Sequence, residues 1–361
     1  MDFRDEPTRV REGEELDLKA IEPFFKDNIA GLEGPISVKQ FPSGYSNLTY
    51  LVRIGEQELV LRRPPFGRKA KTAHDMGREY RILKALNPVF PYCPKPLAFT
   101  EDESIIGCPF YVMERLHGII LRKKFPEGLD LDADQMRSLC ENLLDVHCQL
   151  HSIDYKEIGL DGFGKPEGYV RRQVEGWSER YRAAHTPDAP AFDGVIQWLH
   201  DRTPPDFSRP AVIHNDFKFN NVVLSPDNFL KIVGVLDWEM ATIGDPLLDL
   251  GCSLGYWVQS DDPADFQAAS TLPTNLPGAL TRGEMVKRYS EKTGTPIHDF
   301  DFYLCFGFFR LAVIAQQIYY RFYHGQTTDR RFKELIVAIH LLEKQAHRIM
   351  EQMDVPERTD P

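Results

Sequence analysis

What the chain lacks narrows its chemistry before any motif is read. Its six cysteines, Cys93, Cys108, Cys140, Cys148, Cys252 and Cys305, are scattered through 361 residues, and no two form a Cys-x-x-Cys pair. That argues against a thiolate metal site or a dithiol redox centre and makes reduced thiols in a cytoplasmic protein the expected state. A basic excess is also missing. The formal net charge is -11, which works against general affinity for nucleic acid or an anionic membrane. No apolar run reads as a membrane span. The most apolar stretch, 300–323, is interrupted by Asp301, Arg310, Gln316, Gln317 and Arg321 and reads as a buried helix. The first residues, Met1-Asp2-Phe3-Arg4-Asp5-Glu6, are charged and do not read as a secretory signal. Internal repeats, coiled-coil heptads and low-complexity tracts are absent. With 42 % hydrophobic and 27 % charged residues, the chain has the composition of a globular protein large enough for two lobes.

What is present centres on Val212-Ile213-His214-Asn215-Asp216-Phe217-Lys218-Phe219-Asn220-Asn221-Val222-Val223-Leu224. An apolar run ends in His-x-Asp, and Asn221 stands five residues after Asp216. A second apolar run, Val233-Gly234-Val235-Leu236, then ends in Asp237-Trp238-Glu239. This is the ordered set of polar groups that phosphoryl transfer needs. One carboxylate lies near an acceptor hydroxyl, and an amide and a second carboxylate hold Mg²⁺ on the phosphates of ATP. A plain β-hairpin with polar turn residues is the alternative. Asp237 and the following Gly244-Asp245-Pro246-Leu247-Leu248-Asp249-Leu250 weigh against it.

In protein kinases the loop reads His-Arg-Asp-x-x-x-x-Asn, and Asp-Phe-Gly follows. The variant here resembles the aminoglycoside phosphotransferase family, over roughly Val38 to Met350. The resemblance implies an α+β, bilobal protein-kinase-like fold, with a small antiparallel β-sheet N-lobe (1–117) and a larger, mainly helical C-lobe (118–361). It implies Asp216 as catalytic base, Asn221 and Asp237 as Mg²⁺ ligands, and His214 as a brace for the loop. Asp245 and Asp249 then support the loop backbone or cap the helix that starts at Pro246. No Ala-Pro-Glu closes an activation segment, which argues against a protein kinase.

The nucleotide-binding candidates lie upstream. Ile36–Phe41 and Leu48–Arg53 read as a hairpin. Its tip holds Ser43, Gly44, Ser46 and Asn47, small residues that let backbone N–H groups approach phosphates. The Gly-x-Gly-x-x-Gly of protein kinases is absent. Glu58–Pro65 reads as the next strand, with Arg62 where kinases carry Lys. Guanidinium can grip phosphate bidentately. Arg63 faces the other way in a regular strand, so only one of the two should line the site. A helix with Met76, Tyr80 and Leu83 on one face follows, and Glu79 is the expected partner of Arg62, with a solvated helix charge as the alternative. Phe110–Leu116 reads as the strand that leads to a hinge near Gly118. By resemblance, backbone groups from Glu114 to Leu116 would receive adenine.

In the larger half, Asp132 or Asp134 caps a helix carrying Met136, Cys140, Leu143, His147 and Leu150. His147 and His151 stand at i,i+4, but no third ligand is visible in sequence, so packing or capping is the expected role. Lys218 could meet the transferring phosphoryl group or point to solvent. Residues 261–277 read as a loop, and three helices close the chain. Residues 1–15 read as a loose arm and 354–361 as a disordered tail. The wording of 159–177, Arg62-Arg63-Pro64-Pro65 and Asp237-Trp238-Glu239-Met240-Ala241 resembles one branch of the family. That branch includes kinase-like domains fused to acyl-CoA dehydrogenases and free-standing bacterial relatives. It implies ATP and a small-molecule hydroxyl acceptor, a hydroxyacyl-CoA or hydroxy acid, and Arg171, Arg172 and Arg180 could meet its acidic groups. An aminoglycoside kinase and a catalytically inactive nucleotide-binding module are the competing readings. Oligomeric state is left open.

Overall fold

The computed structural model describes residues 6–41, 47–66, 75–123, 125–126, 128–327 and 329–353. The chain divides into two compact units. Met1–Ile120, Glu157–Leu160 and Asn221–Ala241 form the first; Leu121–Lys156, Asp161–Asn220 and Thr242–Pro361 form the second. This is the α+β, bilobal fold class expected from the sequence, with strands concentrated in one unit and helices in the other, but the division departs from the expected 1–117 and 118–361, because 157–160 and 221–241 cluster with the first unit.

The first unit is built on a five-stranded sheet in the order β1-β2-β3-β5-β4. The strands are β1 (Ile36–Gln40), β2 (Leu48–Ile54), β3 (Gln57–Arg63), β4 (Pro96–Thr100) and β5 (Phe110–Glu114). All neighbouring pairs are antiparallel. Side chains alternate between faces. Tyr50, Val52, Leu59, Leu61, Phe110 and Val112 share one buried cluster with Ile21 and Phe25 of helix α1 (Leu18–Asn28). Arg62 therefore falls on the opposite face, toward helix α2 (Met76–Leu86). A short helix, α3 (Glu103–Ile106), leads into β5. The β2–β3 turn needs Gly55: its φ is +56°, and a Cβ there would meet the Glu33 carbonyl oxygen at 2.2 Å. A two-stranded ribbon, Val222–Leu224 with Ile232–Val235, completes the unit. One correction concerns the amino-terminal arm. Residues 6–15 are tied down, because Thr8 pairs with Gln40 and the Tyr50 hydroxyl donates to the Glu14 carbonyl at 2.8 Å.

The second unit is helical. It comprises α4 (Ala133–Ser152), α5 (Tyr169–Ala184), α6 (Asp193–Asp201), α7 (Pro246–Gly255), α8 (Ala264–Ala268), α9 (Arg282–Thr293), α10 (Asp301–Tyr323) and α11 (Leu335–Met353). A ribbon of Ala211–Ile213 with Thr242–Gly244 joins them. Asp132, not Asp134, caps α4, in a box with Gln135. The segment 261–277 is not a bare loop. It contains α8, Arg282 holds Asp262 at 2.6 Å and 3.0 Å, and the Thr274 hydroxyl donates to Val258 O at 2.7 Å. Helix α10 is the one described helix long and apolar enough to cross a membrane, and it is largely buried within the protein. Two of its polar interruptions, Arg310 and Gln316, are buried too, and Gln316 donates to Ala184 O at 2.8 Å and to the Thr186 hydroxyl at 3.0 Å.

Helices α7 and α10 approach so closely that only glycine fits. A Cβ on Gly307 would lie 2.1 Å from Gly251 O, and one on Gly251 would lie 2.3 Å from Tyr303 O. Helix α7 starts from the capping Asp245 and carries Asp249, so this contact helps to set two residues of the site. Gly307→Ala gains up to about 1 kcal/mol of helix propensity but must force the helix backbones apart, an overpacking cost of about 1–3 kcal/mol or more. The expected result is a lower thermal midpoint by calorimetry. An unchanged or higher midpoint would show that the helices separate freely.

Candidate active site

In the first unit the site begins with strand alternation. Arg62 leaves β3 on the α2 face and enters a network of carboxylates. Its Nη1 lies 2.8 Å from Glu79 Oε1. Its Nη2 lies 3.0 Å from Asp237 Oδ1 and 3.7 Å from Glu239 Oε2. Asn47 Nδ2 donates to Glu239 Oε2 at 2.8 Å. Arg62 and Glu79 are 7 % and 2 % exposed, so this pair is shielded from water. Burial works against the Arg62 charge, but Glu79, Tyr111, Asp237 and Glu239 more than offset it and hold the guanidinium well above its ordinary value. Burial also raises the Glu79 carboxyl, and Arg62 opposes that rise. Arg63 points away: its Nε donates to Pro64 O and its Nη1 to Ile106 O.

Asp237 is presented by a strained turn. Its φ and ψ are 69° and 63°, a left-handed conformation that disfavours most side chains. Trp238 anchors that turn: it is buried, its indole N–H donates to Val235 O at 2.9 Å, and its ring meets Phe90 edge-on. Asn221 closes a short 3₁₀ turn, and its carbonyl accepts Leu236 N–H at 2.8 Å. Asn221 and Asp237 offer hard oxygen donors, and the Asp237 side chain stays 37 % exposed beside Glu239. That donor set fits Mg²⁺.

In the second unit, Asp216 follows Asn215, whose φ is 64°. Among the described non-glycine residues only Phe192, Asn215 and Asp237 have positive φ, and two of these three belong to the candidate site. Each early residue of the loop is pinned. His214 N–H and Asn215 N–H donate to the Asp249 carboxylate at 2.8 Å and 2.6 Å. Asp216 N–H donates to His214 Nδ1 at 3.3 Å, and Asn215 Nδ2 meets the Tyr169 hydroxyl at 3.2 Å. His214 thus links the Asp249 carboxylate to the Asp216 backbone. Ser253 Oγ donates to Phe217 O at 2.5 Å. Lys218 pairs with the Asp216 carboxylate and lies 4.2 Å over the Tyr256 ring, so its ammonium turns inward rather than to solvent.

Asp249 is fully buried and also receives His147 Nε2 at 3.1 Å and His151 Nε2 at 3.0 Å. Burial works against its charge, but hydrogen bonds from the two histidines hold its carboxyl well below the usual range. His147 stacks on Phe217 at 4.2 Å. Burial, aided by His151, pushes its pKa down to about 4. Asp245 caps α7 through Leu247 N–H and Leu248 N–H, and burial pushes its pKa up to about 6.

Other candidates are placed differently. Ser43, Gly44 and Ser46 lie outside the described residues. Glu114 uses its N–H on Lys95 O and its carboxylate on Lys95 N–H, while Leu116 fills the space beside Gly234. The Arg172 guanidinium donates to the carbonyls of Lys165 and Glu167, and Arg180 lies over Trp177. Arg310, one of the polar interruptions of 300–323, was not placed near Asp216 by the sequence. It is buried on α10, stands 5.1 Å over Trp177, and is held above its ordinary value, against burial, by Cys252, Tyr256, Asp216 and Tyr169. A charged residue within a largely apolar helix was the signal available. Asp249 as the partner of the two histidines was also missed, because it lies 98 residues beyond His151.

Residues 37–278 match the model of the phosphotransferase enzyme family. Acyl-CoA dehydrogenase family member 10 of Mus musculus is 36 % identical over 325 residues, which is 89 % of this chain and 30 % of that protein. Family member 11 of Gallus gallus is 33 % identical over 332 residues, 89 % of this chain and 42 % of that protein. The chain therefore spans less than half the length of these relatives. A Ralstonia eutropha crystal structure, provisionally named an aminoglycoside phosphotransferase, is similar with a TM-score of 0.79 and 29 % identity, over 94 % of this chain and 99 % of that one.

Two predictions follow from the buried charges. Arg62→Met leaves Glu79 buried without its cation, and stability in urea should fall by about 3–5 kcal/mol. Adding Glu79→Leu should recover most of that loss; no recovery would show that the pair does not act as a unit. His147 has its folded pKa at about 4 against an ordinary 6.5. Its contribution is therefore complete above about pH 6.5 and is lost as pH falls toward about 4, to a total of about 3 kcal/mol. Urea unfolding across that range should show a shallower acid loss for His147→Gln than for the parent. Parallel curves would place the acid sensitivity elsewhere.

Proposed function

The chain belongs to the phosphotransferase enzyme family, and from that premise we propose that it is an ATP- and Mg²⁺-dependent kinase for a small-molecule hydroxyl, carried by a hydroxyacyl-CoA or a related hydroxy acid. The observation that carries the kinase reading is the contact between Arg62 and Asp237 at 3.0 Å. It joins a strand cation suited to phosphate with a carboxylate suited to metal, from opposite ends of a long sequence separation. Arg62 is held rigid by Glu79, so its second amino group is positioned before nucleotide binds. Asn221 and Asp237 are the residues that would hold Mg²⁺, which supplies charge neutralisation on the phosphates.

Asp216 is the acceptor-side group. It orients the hydroxyl and takes its proton as the new oxygen–phosphorus bond forms and the bond to the leaving ADP breaks. Lys218, paired with Asp216, offsets negative charge as it develops. Catalysis then rests on placement and electrostatics rather than covalent chemistry.

The acceptor class draws support from two directions. The relatives named as acyl-CoA dehydrogenase family members contain a segment similar to nearly the whole chain. The surroundings of Asp216 are also cationic, with Lys218 and Arg310 both near it. A polycationic aminoglycoside is better served by a carboxylate-rich acceptor site.

The test is Mg²⁺-ATP with a panel of hydroxyacyl-CoAs, free hydroxy acids and aminoglycosides, read by mass spectrometry. The expected outcome is one added phosphoryl group on a hydroxyacyl-CoA or hydroxy acid. Asp216→Asn should bind ATP normally and lower kcat by about 10²- to 10⁴-fold. Transfer to aminoglycosides alone would keep the mechanism and overturn the acceptor. ATP binding without any transfer would favour a nucleotide-binding module.

A further inference from the structure

Arg310 lies in a run of α10 that is otherwise apolar, Phe306-Gly307-Phe308-Phe309-Arg310-Leu311-Ala312-Val313, and it is 2 % exposed. An apolar side chain of similar size would fill that space without the cost of desolvating a guanidinium, so the charge calls for a use. The guanidinium stands 5.1 Å over the ring of Trp177. That ring is fixed, because Trp177 is buried on α5 and its N–H donates to the Gln173 side chain at 3.1 Å. A second guanidinium, that of Arg180, lies 4.7 Å over the same ring and is exposed. One indole thus carries a buried cation and an exposed one, each held by attraction to its π-system.

Four side chains act most strongly on the Arg310 charge: Cys252, Tyr256, Asp216 and Tyr169. Burial pushes the Cys252 thiol up to about 11 and raises both tyrosine hydroxyls, so these three are uncharged at neutral pH. Asp216 is the one carboxylate of the four. It is already paired with Lys218, whose ammonium lies 4.2 Å over the Tyr256 ring. Two cations therefore share one carboxylate. The Asp216 side chain keeps 16 % of its surface exposed, so a ligand can reach this end of the cluster, and Arg310 lies deeper. A hydroxyl seated on Asp216 brings the neighbouring groups of the same molecule toward Arg310. A guanidinium offers paired N–H donors that suit a carboxylate and also donate to a carbonyl oxygen.

We propose that Arg310, backed by Trp177, is the specificity-determining residue of the acceptor side, and that it reads an acyl oxygen, of a carboxylate or of a thioester, carried on the same molecule as the reacting hydroxyl. The proposal rests on Asp216 as the acceptor-side group. It gives the excess cation a partner that arrives with the substrate, and it disfavours an acceptor that is itself cationic.

The experiment uses 2-, 3- and 4-hydroxypentanoate with Mg²⁺-ATP, each as the free acid, as the CoA thioester, and as the alcohol in which a methyl group replaces the acyl group. In the parent, kcat/KM for the best acyl acceptor should exceed that of its matched alcohol by about 10- to 100-fold. Arg310→Met should remove that preference, with the alcohols and the KM for ATP little changed. Arg310→Lys keeps the charge but not the planar fork. It should recover part of the free-acid rate and little of the thioester rate, and it serves as the test if the methionine variant folds poorly. The better of acid and thioester in the parent identifies which acyl oxygen is read. Equal losses on acyl acceptors and alcohols would reduce Arg310 to a support of the loop and overturn the proposal, as would a parent without acyl preference. Pentanoate and pentanoyl-CoA, which lack the hydroxyl, give a readout without turnover. By calorimetry at least one should bind the parent and fail to bind Arg310→Met. A parent that shows this binding but transfers no phosphate would count against the kinase reading and leave the acyl site standing. Binding of neither ligand, or equal binding to Arg310→Met, would overturn the acyl site itself.

Discussion

A carboxylate with no access to water must be surrounded by donors or be neutralised, and Asp249 takes the first course. Four hydrogen bonds converge on it from α4 and from the loop that carries Asp216. That requirement ties distant parts of the second unit together. Helix α4 must bring His147 and His151 to the same oxygen, and α7 must project Asp249 toward them. The glycines that let α7 and α10 meet at backbone distance serve the same geometry. Loss of any donor leaves a buried charge under-satisfied, which costs more than the hydrogen bond itself contributes.

The first unit solves the converse problem. Arg62 is a buried cation, and three carboxylates surround it. Glu79 is buried and structural, while Asp237 is partly exposed and available to ligand. One guanidinium thus links a buried acid to a partly exposed one. Arginine suits this position because its planar fork can hold two carboxylates at once, whereas a lysine ammonium is a single point of charge.

These two networks give the family membership its physical content. The chain has the residues and the supporting contacts of a small-molecule phosphotransferase. Its similarity to segments of much longer proteins named as acyl-CoA dehydrogenase family members shapes the choice of acceptor. The left-handed backbones at Asn215 and Asp237 are costly and persist because the surrounding contacts hold them.

Much of this was legible in the chain. Period-two alternation in 36–63 placed Arg62 and Arg63 on opposite faces, and the resemblance to kinases paired Glu79 with Arg62. The His-x-Asp-x-x-x-x-Asn run pointed to the chemistry because it is joined to an apolar strand, Asp237 and Gly244-Asp245-Pro246; alone, so short a pattern would be weak. The binding of residues 6–15 to the sheet edge was not legible, since it depends on backbone pairing that any sequence can make. Nor was the internal order of 261–277, where Arg282 and Val258 lie outside the segment they hold. The sequence by itself determined which residues could act, because local periodicity and residue chemistry are properties of neighbours along the chain. Only the tertiary structure decided that Asp249 is the hub for two histidines, that Lys218 turns inward and that Arg310 lies near Asp216. Those roles come from contacts between residues tens to hundreds of positions apart, and their energies arise from burial, which no local pattern records.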